Sequence, residues 1–108
     1  MKINIIMKSR NNTYYANATY TGDSTIVKAG GRVALSFAQH IQGGKASLKY
    51  RNDKEYVDEK GNIIKDCIFS SPSTAAQFVS GISKNGYTAW KLENAKSLED
   101  YLREEGLR

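Results

Sequence analysis

The chain of 108 residues holds one cysteine, one proline and one histidine, and it has no long apolar run. A lone Cys67 forms no intramolecular disulfide, and the N-terminus has neither the apolar stretch of a signal peptide nor the length of a membrane span, so the expected location is the cytoplasm. One proline and nine scattered glycines leave no linker or low-complexity tract, and the length suits a single domain with a modest core. His40 has no second histidine or cysteine pair at ligand spacing, so neither a metal nor a cofactor is expected.

Acid is also scarce, but only in one half. Between Met1 and Arg51, Asp23 stands alone against eight basic residues, whereas from Asn52 onward eight basic residues face ten acids. The formal net charge of +5 conceals this asymmetry. Clustered Lys and Arg release counterions from a phosphate backbone on binding, and the same residues also serve simply as a solvated surface. On the binding reading, Lys28, Arg32, Lys45, Lys49 and Arg51 are the candidate phosphate contacts, provided that folding brings the basic residues of this half onto one face. Scattered charges would favour a protein-interaction role instead.

The clearest local structure is in the second half. Ser71-Pro72 is a helix start, because the hydroxyl accepts from orphan N–H groups and proline takes the first helical position at no cost. Ala75, Phe78, Val79 and Ile82 then share one face, and Gly81 ends the helix in a left-handed conformation, which predicts a helix over Pro72–Ser80. Asn62 to Phe69 is β-branched and apolar enough for a buried strand. Asn85-Gly86 reads as a turn and Tyr87 to Trp90 as a short strand.

Earlier in the chain, Ile3, Ile5 and Met7 alternate with polar residues, Tyr14 to Tyr20 is β-prone, Thr21 to Ser24 is a turn cluster, and Thr25 to Lys28 returns as a hairpin. Arg32 to Ile41 fits a helix or a strand equally. Lys45 to Lys60 reads as a surface helix anchored by Leu48, Tyr56 and Val57 and ended by Gly61. Ser97-Leu-Glu-Asp100 is similar to a capping box opening a last helix with Leu98, Tyr101 and Leu102 on one face and Gly106 at its end. The expected fold is α+β: a short, mostly antiparallel sheet with an N-terminal hairpin and two to three helices packed on it.

No catalytic residues are expected. Cys67 lies on a strand pattern that suits the core rather than beside a base, Ser70, Ser71 and Ser73 lack a G-x-S-x-G elbow, and Glu99 and Asp100 sit where a helix dipole favours acids. Two readings stand for the start of the Pro72 helix: capping alone, or a phosphate held by Ser71, Ser73 and Thr74. Two also stand for Tyr87 and Trp90, since an exposed pair would stack on bases, at ~1–3 kcal/mol each, while a buried pair would be core. Core is the expected place of Trp90.

The series Ala18-Thr-Tyr-Thr-Gly-Asp-Ser-Thr-Ile-Val-Lys-Ala-Gly30, Tyr50-Arg51, Phe69-Ser-Ser-Pro-Ser-Thr-Ala-Ala76, Gly81, Asn85-Gly86, Trp90-Lys91 and Ser97-Leu98 resembles the family called domain of unknown function 4357, from about Tyr14 to Leu102. It is similar, more distantly, to domains associated with restriction enzymes and adenine methylases. The resemblance implies a DNA-linked accessory role beside GIY-YIG nucleases or restriction-modification components, with DNA, a nuclease subunit or a methylase subunit as partner and no membrane. Two positions depart from the family pattern: Gly30-Gly31 stands where Gly-Ser is usual, and Ala95 where glycine is usual. No nuclease motif accompanies the module in these residues, so a catalytic partner is expected to be a separate chain.

Overall fold

Every second residue of Ile3–Lys8 is apolar and covered, which gives that strand one packed and one open face. The computed structural model describes residues 1–38 and 44–108. Its elements run β1 (Ile3–Lys8), β2 (Tyr15–Tyr20), β3 (Thr25–Val27), α1 (Gly44–Arg51), β4 (Cys67–Phe69), α2 (Pro72–Ser80), α3 (Gly86–Ala89) and α4 (Leu98–Glu104). The strands form one antiparallel sheet in the order β1-β2-β3-β4, and with four helices among the described residues the fold is α+β. None of those helices is long and apolar enough to cross a membrane.

One face of the sheet is the floor of the core. Ile3, Ile5, Met7, Ala16, Ala18, Tyr20, Val27, Cys67 and Phe69 all point there, and α2 lies on them. Ser71 Oγ accepts from the Thr74 N–H at 3.1 Å, Pro72 sits in the first turn, and Gly81 closes the helix at φ 78°. Gln77 and Ser80 are buried as well as the apolar residues, so α2 is enclosed on every side, with α1 and α3 covering what the sheet does not. Ser47 of α1 is small enough to let the two helices approach, and its hydroxyl donates to the Thr74 carbonyl at 3.1 Å. Tyr50, Phe69 and Phe78 pack edge-on or tilted at 5.1–6.1 Å between centroids.

The other edge of β1 is covered too. Ile6 N donates to the Lys91 carbonyl at 2.7 Å and Lys91 N to the Ile6 carbonyl at 2.9 Å. This ties the segment leading into α4 to the first strand. In α4 the Ser97 cap forms as expected, with Oγ accepting from Asp100 N at 3.1 Å, and Leu98 and Leu102 are buried.

Several expectations need correction. Tyr87 to Trp90 is not a strand: Asn85 Oδ1 accepts from Tyr87 N and Gly86–Ala89 closes as one helical turn. The Lys45–Lys60 helix stops at Arg51, because the Asp53 carbonyl draws in Tyr56 N and Val57 N and its side chain caps Glu55 N, folding residues 52–57 into turns. Leu48 is therefore no anchor but an exposed residue of α1. Only Cys67–Phe69 of the 62–69 run pairs with β3, while Asn62 and Ile63 make single bridges to Arg32 and Val57. Ile82 is 50% exposed because the left-handed Gly81 turns the chain away from the face that Ala75 and Phe78 share. In the Arg32 to Ile41 stretch, Arg32 makes single bridges and 33–38 is neither helix nor strand; His40 and Ile41 lie outside the described residues.

Candidate nucleic-acid interface

The alternation that sends Ile3, Ile5 and Met7 inward sends Asn4, Ile6 and Lys8 outward, with Lys2 in continuation. On β2 the outward set is Tyr15, Asn17 and Thr19. Cross-strand register then assembles rows on this open face. Lys8 lies opposite Tyr15, and Tyr15 opposite Arg32 through reciprocal N–H···O bonds of 3.0 and 2.8 Å. Asn4, Thr19, Ile26 and Ile68 form a second row, and Lys91 joins Ile6 at the far edge. No described helix lies on this side, so Ile6, Tyr15 and Ile68 are 42%, 44% and 57% exposed.

The face is electropositive. Lys2, Lys8, Lys28, Arg32 and Lys91 belong to it, against Asp66 and, at the rim, Glu93. Lys28 Nζ pairs with Asp66 at 2.9 Å, and the Ala29 N–H together with Lys28 holds the Asp66 carboxyl below the usual carboxylate range. Lys91 Nζ donates to the Thr88 carbonyl at 2.7 Å, which leaves its charge at the surface. Two shallow hollows indent the face. One of about 290 Å³ is bounded by Ile6, Lys8, Asn12, Tyr15 and Asn17, and one of about 440 Å³ by Asn4, Ile6, Asn17, Thr19 and Lys28.

The residues expected to contact phosphate are not brought together. Lys28 and Arg32 are on the open face, but Lys45 and Lys49 are exposed on α1, which packs on α2 on the covered side of the sheet. Arg51 points inward and closes the C-terminus of α2. The last carbonyls of that helix need donors, and Gln77 O receives Gly81 N, Val79 O receives Ala34 N, and Phe78 O receives Arg51 Nε at 2.8 Å. Arg51 Nη1 also donates to Ala34 O at 2.7 Å, and its guanidinium lies over the Phe37 ring. Burial lowers its pKa to about 10, still high enough to keep it charged at neutral pH.

The start of α2 is taken up by the protein itself. Ser71 caps Thr74, Ser73 Oγ accepts from Gly86 N at 2.9 Å, and Gly86 stands so close that a Cβ there would lie 2.3 Å from Ser73 N. Capping and packing account for Ser71, Ser73 and Thr74. Trp90 is fully buried with its indole N–H on the Pro72 carbonyl, so it is core and offers no stacking face. Tyr87 is half-buried, with Arg108 over its ring at 3.7 Å and Tyr20 at its edge.

What the sequence reading missed is the polar half of the hairpin: Lys2, Lys8, Tyr15 and Asn17, with Lys91 from the far end of the chain. The period-two pattern that identified the apolar side carried this information as well. Cys67 is buried, and burial pushes its thiol up to about 12. Among the described residues no three His, Cys, Asp or Glu gather where they would hold a metal ion.

No curated protein and no solved structure matches this chain. A family model does match, over residues 6–102, and takes in the hairpin, the Ser71-capped helix and the buried Trp90. The chain therefore belongs to the family described as Domain of unknown function (DUF4357).

Proposed function

We propose that this chain is a non-enzymatic accessory module that binds nucleic acid, DNA in the first place, through the open face of its sheet. The observation that carries the reading is the gathering of Lys2, Lys8, Lys28, Arg32 and Lys91 on one face that no described helix covers. Cations placed this way meet a phosphate backbone with a salt-dependent, largely sequence-independent affinity. The resemblance to modules found beside nucleases and restriction-modification proteins points the same way.

Anisotropy titration with labelled DNA at low and moderate salt tests the proposal. Affinity is expected to fall linearly in log–log form with salt, and the double change Lys8→Glu and Lys28→Glu to lower it more than about tenfold. Lys45→Glu with Lys49→Glu, on the other side of the domain, is expected to change it little. No salt-dependent binding to any nucleic acid would sink the reading.

A second reading, docking on a nuclease or methylase subunit without DNA contact, is supported by the cleft between α1, residues 33–37 and residues 57–61, where the exposed Leu35 and Leu48 lie among Lys54, Asp58 and Glu59. A purified stoichiometric complex with such a subunit, lost in Leu35→Asp and combined with no DNA affinity, would favour it.

A further inference from the structure

We infer that the Lys8–Tyr15–Arg32 row is a base-stacking subsite for single-stranded DNA, an inference that rests on the nucleic-acid reading above and narrows its ligand. Four strands ~4.8 Å apart make a platform roughly 14 Å across before side chains are added. That is broader than the major groove of a duplex, at about 12 Å. Duplex bases stay out of its reach, whereas a single strand lays its base faces down on such a surface.

Tyr15 is the aromatic side chain suited to receive one. It sits in the interior of the row, and among the described residues its hydroxyl makes no hydrogen bond. Of the other tyrosines, Tyr50 OH accepts from Ile68 N and Tyr20 packs edge-on against Tyr87 at 6.3 Å on the covered side. Lys8 on one side and Arg32 on the other are direct cross-strand neighbours, so a base stacked on the ring has a cation on each flank for its adjoining phosphates. The alternation of aromatic and basic side chains is what a single-strand binder needs, because every base has a π-face and every nucleotide a charge.

The hollow beside Tyr15 supplies the rest. Asn17 follows Tyr15 on the same face at ~6.8 Å along the strand, and Asn12 rises from the hairpin tip in a left-handed conformation at φ 60°. Each amide offers a donor and an acceptor to a base edge. Ile6 lines both hollows and Ile26 lies in the next row, which makes an aliphatic strip beside the amides. A sugar and a thymine methyl pack on that aliphatic strip, and the preference for DNA is read by the oligouridine arm of the test.

The test is competitive anisotropy with oligothymidine of about 12 nucleotides, a duplex of the same length and oligouridine. Oligothymidine is expected to bind tightest, Tyr15→Ala to lose about tenfold or more, and Tyr15→Phe to keep wild-type affinity. An unchanged emission spectrum from the single, buried Trp90 confirms that each variant is folded. Duplex or oligouridine binding as tight as oligothymidine, or full affinity in Tyr15→Ala, overturns the inference and leaves the wider reading standing. Failure of every oligonucleotide to bind overturns both.

Discussion

The indole Nε1 of Trp90 donates to the carbonyl oxygen of Pro72 at 3.0 Å, joining a fully buried ring to the first turn of the central helix. Gly86 lies in the same joint, where a Cβ would stand 2.1 Å from the Pro72 carbonyl carbon. Trp90→Phe leaves that carbonyl buried without its donor and opens a void, at a cost of about 2–4 kcal/mol. Gly86→Ala forces α3 away from α2 and is expected to cost at least about 3 kcal/mol. Urea unfolding midpoints measure both.

Arg51 holds the C-terminal Phe78 carbonyl of α2 and the Ala34 carbonyl. Arg51→Lys replaces a fork that serves the Phe78 and Ala34 carbonyls together with a single ammonium, and is expected to destabilise by about 1.5–3 kcal/mol. Oligonucleotide affinity measured on the folded fraction is expected to stay at the wild-type value; a loss comparable to that of the Lys8 and Lys28 variants would contradict this.

Ala95 stands at φ 70°, in the left-handed region that favours glycine. A left-handed alanine costs ~1–2 kcal/mol, part of which glycine gives back through its larger unfolded-state entropy. Ala95→Gly is therefore expected to stabilise by about 0.5–1 kcal/mol, a rise of roughly 2–5 °C in Tm by calorimetry.

Cys67 makes stability depend on alkaline pH. Its thiol ionises near 9.0 when exposed and only at about 12 in the folded protein, so from pH 9 upward the unfolded chain releases a proton that the native state keeps. This contribution is complete below pH 9 and is lost as pH rises toward 12. The downward slope between those values is expected to be shallower in Cys67→Ala, and a thiol reagent at pH 8 is expected to label the native protein far more slowly than the unfolded one.

The parts of the fold legible in advance are those written in local chemistry. Ser71, Pro72 and Gly81 mark both ends of α2 within the helix itself, and Thr21 to Ser24 marks the hairpin between β2 and β3. Where a tertiary partner decides, local pattern failed. Tyr87 to Trp90 has strand composition, but Gly86 N is held by Ser73 and the indole by Pro72, contacts that come from a different element. Arg51 looked like one more cation of a basic half because nothing near it in sequence reveals that it completes a helix end 27 residues away. The candidate face was half legible: its cations were counted, but the register that separates Lys28 and Arg32 from Lys45 and Lys49 exists only in the assembled sheet.

The pairing of Ile6 with Lys91 also sets an order of events during synthesis. The first strand acquires its outer neighbour only after synthesis has reached Lys91, several seconds after Ile6 at ~5–20 residues per second. Until then β1 carries an unsatisfied strand edge beside the apolar side chains of Ile3, Ile5 and Met7, and a ribosome stalled before codon 90 would hold a nascent chain that lacks both this neighbour and the Trp90 ring. Closure of the β1 edge is thus the last step of sheet assembly in order of synthesis, and it comes together with the arrival of the ring that fills the core beneath α2.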